Sequence, residues 1–251
     1  MRDLKCLMSE KLSEIIKSNR ISSGIKGLDE MIGGGFPEGH IVVVIGDSGV
    51  GKTTFALQFL MDGLLKKEPA IYISIEEEKE SLICSARIYG WDLEKYIKEN
   101  KLAILNLDLS DIKTTARKIK TELPEFIESF GAKRMVIDSI TLFSIMFDDV
   151  IERRIRLAGL IKAIRKAGIT ALFTAELNAE SPLHSKDGIV EYSSDGVLIF
   201  AQNESERNIK LMMRVVKMRR IQHDRSYRPY DITNKGIVVY PHDMVFQEHG
   251  I

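Results

Sequence analysis

Eight consecutive residues, Gly46-Asp47-Ser48-Gly49-Val50-Gly51-Lys52-Thr53, have the types and spacing needed to hold a chain of phosphates. Glycines let the backbone curl so that successive amide N–H groups face one anion. The lysine adds a cation, and the threonine hydroxyl is a hard oxygen donor suited to magnesium. The pattern G-x-x-x-x-G-K-[ST] gains force from its flanks. The run Ile41 to Ile45 is apolar on every residue, as a doubly buried parallel strand requires, and a helical pattern runs from about Lys52 to Lys66. A strand, a tight loop and a helix start bring the positive end of the helix dipole to the same anion. Residues Gly46 through Thr54 are therefore expected to bind a nucleoside triphosphate with magnesium.

Such a loop needs a second carboxylate on the magnesium side. Met135-Val136-Ile137-Asp138 supplies an apolar strand that ends in one, so Thr53 and Asp138 are the expected metal residues. An aspartate there also suits the cap of a following helix. Hydrolysis further requires a base to orient and partly deprotonate water. Glu76, Glu77 and Glu78 follow the strand pattern Ala70 to Ile75, at the edge where open α/β sheets bind ligands, but acidic residues are equally at home in a first helical turn. Lys217-Met218-Arg219-Arg220, with His223, Asp224 and Arg225 behind it, fits either a solvated basic strand end or cations that stabilise a transferring phosphoryl group. Spacing alone does not choose between these readings. Cys6 and Cys84 lack metal-site spacing and read as reduced structural thiols, and the remaining histidines assemble no motif.

The elements that must position these groups alternate. Helical patterns over Lys52–Lys66, Glu78–Tyr89, Asp92–Glu99, Asp111–Phe130 and Glu152–Lys166 interleave with strands Ala70–Ile75, Leu102–Asn106, Arg134–Asp138 and Ile169–Ala175. This is the βαβα order of an α/β fold with a mostly parallel central sheet flanked by helices. Val197–Ala201, Ile209–Met218 and Gly236–Tyr240 then read as an antiparallel C-terminal extension. Leu4, Leu7, Met8, Leu12, Ile15 and Ile16 predict an amphipathic helix within residues 1–20, ahead of a single domain over 21–251. The 251 residues carry 36 basic and 36 acidic side chains, so bulk charge points to neither a nucleic-acid surface nor a polybasic membrane patch. No apolar stretch of membrane-spanning length develops near the N-terminus, and a cytoplasmic protein is expected.

Gly24-Ile25-Lys26-Gly27-Leu28-Asp29, the triple glycine Gly33 to Gly35, the loop Gly46 to Thr53, Glu76-Glu77, Val136-Ile137-Asp138-Ser139 and Lys217-Met218-Arg219 together resemble the KaiC-like ATPases of the RecA superfamily, over about residues 20 to 241. The resemblance implies a RecA-like P-loop NTPase fold and magnesium-dependent ATP hydrolysis, with Glu76 activating water and Glu77 as its partner. It also implies a homohexameric ring with ATP held between subunits, in which Lys217 and Arg219 reach the neighbour's nucleotide. A regulatory or signalling role through an unidentified protein partner is the favoured reading. A DNA-binding recombinase, an autokinase and a nucleotide-gated scaffold are the alternatives. Two departures bear on them. Glu191 and Tyr192 stand where the autophosphorylating half of the clock protein has serine and threonine, with Ser193 and Ser194 nearby. Arg220 takes a place often held by glycine in the family.

Overall fold

The computed structural model describes residues 19–107, 112–205 and 208–245; the amphipathic segment predicted within residues 1–20 therefore lies, but for its last two residues, outside the described residues, as do Cys6 and His249. The strand read from Ile41 onward is β3 (Ile41–Gly46), and all of it is buried. Val42 and Val44 enter one core with Phe55, Leu60 and Tyr72. Ile41, Val43 and Ile45 enter a second core with Ile137, Leu160 and Phe173. A strand that sends alternate apolar side chains to opposite faces needs cover on both, and helices supply it.

The first core is roofed by α1 (Leu28–Met31), α2 (Lys52–Leu65), α3 (Lys79–Ile88) and α4 (Leu93–Lys98). The second is roofed by α5 (Ile112–Phe130), α6 (Ile140–Ile145) and α7 (Val150–Lys166). Between them β3 is hydrogen-bonded in parallel to β7 (Thr170–Asn178) and to β9 (Gly196–Ser205). The parallel series continues outward from β7 through β6 (Arg134–Asp138) and β4 (Ala70–Ser74) to β5 (Leu102–Asn106). On the other side β10 (Asn208–Met218), β11 (Arg228–Thr233) and β12 (Gly236–Val239) add antiparallel strands beyond β9, as the C-terminal pattern predicts.

Several elements escaped the sequence reading. The glycine-rich segment after Asn19 holds a two-residue pairing of β1 (Arg20–Ile21) with β2 (Phe36–Pro37), too short to show a period. Strand β11 contains Pro229, a residue that argues against a strand, and here the proline sits opposite Met212 in the antiparallel extension. Short β8 (Ser181–Ser185) pairs antiparallel with β7, and the four-residue helix α8 (Val190–Ser193) follows it. Helix α7 begins two residues earlier than expected because the Asp149 carboxylate accepts the Glu152 N–H at 2.8 Å and caps it.

One buried charge ties these layers together. Arg134, at the start of β6, is fully buried and ion-paired to Asp62 of α2 at 2.9 Å and to Glu68 at 2.7 Å. Its Nη1 donates to the carbonyls of Ser22 and Phe59. With all three guanidinium nitrogens engaged, the cost of burying the charge is offset. Removing either carboxylate would leave the buried guanidinium with one acidic partner instead of two.

Candidate functional site

The phosphate loop lies at the carboxyl end of β3, between β9 and β7, and runs directly into α2. Its tight turn depends on Gly51, the residue before the helix, whose φ is 89° and whose Cβ would stand 2.8 Å from Ile232. A side chain there is opposed by both backbone and neighbour. The loop's apolar member, Val50, is buried, and its carbonyl accepts the Tyr230 hydroxyl at 2.6 Å, so β11 anchors the loop from behind. A cleft of about 770 Å³ opens above, lined by Gly46, Asp47, Ser48, Gly49, Gly51, Lys52, Thr53 and Thr54. Of the expected phosphate-binding residues only Val50 turns away from it.

Lys52 is folded onto the loop, its Nζ donating to the carbonyls of Gly46 at 2.9 Å and Asp47 at 2.7 Å. Burial pulls its pKa below the usual lysine value, against the opposing pull of Asp138, Glu176, Asp47 and Glu76. A phosphate arriving at the loop would replace two neutral carbonyls with a full negative charge.

Asp138 stands at the end of β6, two strands from β3, and it does not cap α6. Its Oδ2 accepts Thr53 Oγ1 at 2.8 Å and the Tyr72 hydroxyl at 2.6 Å, while Oδ1 accepts the Thr174 hydroxyl. Tyr72 of β4 and Thr174 of β7 thus orient the carboxylate from both sides, and burial together with Asp138 holds the Tyr72 phenol protonated far above its ordinary range. Both were hidden in sequence inside apolar strand runs. The chemistry of Thr53 and Asp138, a hydroxyl and a carboxylate at the phosphate loop, fits magnesium. Among the described residues no group of three or more acidic, histidine or cysteine side chains forms a cage, which suits an ion that takes its other oxygens from phosphate and water.

The glutamates after β4 separate in role. Helix α3 starts only at Lys79, so Glu76 and Glu77 precede its first turn, and Glu78 is its cap position without a side-chain cap bond. Glu77 accepts Ser81 Oγ at 2.9 Å, and its main-chain carbonyl accepts Ser74 Oγ and Asn106 Nδ2. Glu76 is exposed on the cleft wall, and among the described residues its carboxylate has no hydrogen bond or ion pair. The first glutamate is therefore available to a solvent molecule, and the second is tied down.

Other residues of the cleft were given no role in the sequence. Glu176 follows the buried run of β7, on the cleft wall, and pairs with Lys186 at 2.9 Å; an acid closing an apolar parallel run is the same signal that picks out Asp138. Ser139 Oγ is buried on the cleft wall without a hydrogen-bond partner among the described residues. Tyr89, at the end of α3, meets Thr54 Oγ1 at 3.2 Å and stacks on Trp91 at 4.7 Å; with Ile232 it forms an apolar flank suited to a nucleotide base.

Lys217 and Arg219 are elsewhere. In register, Met218 lies opposite Gly196 of β9, which lies beside Val42 at the start of β3. Gly46 is four residues further along the strand, about 13 Å at the usual rise of roughly 3.3 Å per residue. The basic segment thus occupies the opposite edge of the sheet from the phosphate loop, and Arg219 opens on a separate cavity of about 370 Å³ with Lys162, Arg165 and Tyr192. Arg220 adopts φ 65°, a left-handed conformation that glycine takes without steric cost. Cys84 is a free, exposed thiol on α3 and not a core residue. Glu191, a carboxylate with no hydroxyl to phosphorylate, is buried and bonded to Ser185. No described helix is long and apolar enough to cross a membrane.

The sequence matches the family described as "ATPase: KaiC" over residues 21–244. Among curated relatives, a UPF0273 protein of Thermotoga maritima is 32% identical over 239 residues, covering 88% of this chain and 96% of that one. The circadian clock oscillator protein KaiC of Parathermosynechococcus lividus is 32% identical over 244 residues, or 92% of this chain and only 44% of the clock protein. The crystal structure of a KaiC-like protein from Pyrococcus horikoshii OT3 superposes with a TM-score of 0.79 at 35% identity, covering 89% of this chain and 99% of that one. A RecA-like sheet, a phosphate loop facing Asp138 and a family match over nearly all of the described residues lead to one conclusion: the chain belongs to the KaiC family of ATPases.

Proposed function

We propose that this chain is a slow, magnesium-dependent ATPase that works as a cytoplasmic homohexameric ring, with ATP bound between subunits, and passes its nucleotide state to a protein partner. The observation that carries this reading is the division of charged groups between two sheet edges: Lys52, Thr53, Asp138 and Glu76 at the carboxyl edge, Lys217 and Arg219 at the amino edge. No single subunit brings the two sets to one phosphate. A head-to-tail ring does so, because a heterologous contact apposes different faces of adjacent copies.

In this scheme the amides of Gly46 to Thr54 and the Lys52 ammonium hold the phosphates. Thr53 and Asp138 would hold magnesium, which would supply positive charge beside the phosphate oxygens. Glu76 takes a proton from water as its oxygen bonds to the γ-phosphorus and the bond to ADP breaks. Glu77, fixed by Ser81, holds the turn that presents Glu76. Lys217 and Arg219 of the adjacent subunit stabilise charge on the transferring group. The test is steady-state phosphate release beside ATP affinity for wild type and Glu76→Gln. The variant should bind ATP normally and lose on the order of a hundredfold or more in kcat, since only the base is removed. Equal rates in the two proteins would remove Glu76 from the mechanism.

A further inference from the structure

Lys217 is not a free lysine at a strand end. Its Nζ donates at 2.6 Å to the main-chain carbonyl of Glu191 in α8, an oxygen that also accepts Ser194 Oγ at 3.3 Å. Burial, then the nearby Arg219, lowers the pKa of this lysine, so its ammonium gains from a fixed carbonyl dipole.

The carbonyl is fixed by an unusual device. Glu191 is 8% exposed, and its carboxylate turns back onto β8, where Oε1 accepts the Ser185 N–H and Oε2 accepts Ser185 Oγ at 2.8 Å. His184 Nδ1 lies 3.7 Å from Oε1, and Asp187 also accepts from Ser185 Oγ at 3.0 Å. A helix of four residues has almost no stability of its own. Its apolar neighbours Ile189 and Val190 are buried and would hold it with any small residue at 191. Burying a carboxylate is costly unless its hydrogen bonds do something that packing does not. Here they set the orientation of the one peptide group on which Lys217 rests.

Neighbouring Arg219 is seated separately. Its N–H donates to the Asp195 carbonyl at 2.9 Å and its Nη1 to Asp195 Oδ1 at 3.2 Å. Asp195 is itself held by the Ile41 N–H and Arg165. The two cations therefore rest on different acceptors, bridged by Arg165, which also donates to the Ser193 carbonyl of α8 at 3.1 Å.

We propose that Glu191 is a positioning residue for Lys217: its buried carboxylate, locked to Ser185, holds the carbonyl that presents the lysine to the neighbouring subunit's nucleotide. The inference rests on the trans-acting assignment of Lys217, and subunit mixing separates the two. Lys217→Met keeps its own site and lacks the lysine; Glu76→Gln keeps the lysine and lacks the base. Mixed in equal amounts, they should recover about a quarter of wild-type phosphate release, the fraction of head-to-tail contacts that pair a good site with a good lysine. No recovery in this control would bring down the trans assignment, and the positioning role with it.

With the control positive, Glu191→Ala should behave as a lysine variant. Alone, its kcat should fall about tenfold or more at nearly unchanged KM for ATP, as expected for a lost transition-state interaction. Mixed with Glu76→Gln it should recover like Lys217→Met, and mixed with Lys217→Met it should not recover. Glu191→Gln, which still accepts the Ser185 N–H, should restore most of the loss. Recovery with Lys217→Met, failure to recover with Glu76→Gln, or undiminished kcat in Glu191→Ala would overturn the proposal. Should the alanine variant fail to fold, Ser185→Ala decides: it removes one donor to the carboxylate and should show the same mixing pattern with a smaller loss. A different pattern there also overturns the role.

Discussion

At the carboxyl edge of the sheet, each chemical group sits where a long buried strand stops: Gly46 at the end of β3, Asp138 at the end of β6, Glu176 two residues before the end of β7. At the amino edge, Lys217 and Arg219 are held by a four-residue helix and a single aspartate, on elements whose shape comes from side-chain hydrogen bonds. The first edge is built by packing, which fixes direction over many residues, and it makes a cleft complete enough to hold a triphosphate. The second carries cations at the edge away from the phosphate loop. In the proposed ring, the first edge would receive the ligand and the second would be presented to a neighbour.

That contrast is best broken at its stronger end. Lys52→Ala removes the cation of the receiving edge, and a loss of on the order of a thousandfold in kcat/KM is expected, because ground-state binding and transition-state stabilisation both suffer. Calorimetric ATP titration should show the binding part. Lys217→Met, at the presenting edge, should lower kcat by roughly tenfold to a hundredfold while ATP affinity, measured the same way, holds. A rise in the dissociation constant comparable to that of Lys52→Ala would erase the distinction between the edges.

Smaller effects sharpen it. Tyr89→Ala removes an aromatic wall from the receiving cleft, far from the reacting phosphate, and should raise KM by roughly threefold to tenfold with kcat unchanged. Comparing ATP with GTP in that variant reports whether the wall also selects the base. At the presenting edge, His40 is 4% exposed and its Nε2 lies 3.4 Å from the Arg219 carbonyl. Burial lowers its pKa from 6.5, against the pull of Asp195, with Arg220 adding to the lowering. The unfolded chain therefore binds this proton more readily than the folded one. Its contribution is present above pH 6.5 and is lost as pH falls below it. Urea unfolding of wild type and His40→Gln at about pH 7.5 and about pH 5.5 should show the wild type losing more stability on acidification. Equal losses would mean that His40 titrates as an ordinary exposed histidine.

The same contrast explains what could be read before any coordinates. Strands β3, β4, β6 and β7 and the residues at the ends of their buried runs were legible because a doubly buried strand must be apolar at every position, so its polar terminus stands out: Asp138 after Met135-Val136-Ile137 is the clear case. Glu176 carried that signal too and was passed over. Tyr72 and Thr174 were illegible because tyrosine and threonine are ordinary strand residues, and only the fold shows their hydroxyls converging on Asp138. The three glutamates were ambiguous until the helix start at Lys79 separated Glu76 and Glu77 from the first turn. Glu191 and Asp195 were beyond reach, since the partners that give them meaning, Lys217 and Arg219, are more than twenty residues away in sequence.

The central claim is that catalysis is completed between subunits. Its most direct test is specific phosphate-release activity across a wide range of protein concentration, with molecular mass followed by light scattering on the same samples. The account predicts that activity per subunit is low where the mass is that of one chain and climbs as the ring mass appears. Activity per subunit that is already full in the single chain, and constant as concentration rises, would contradict it.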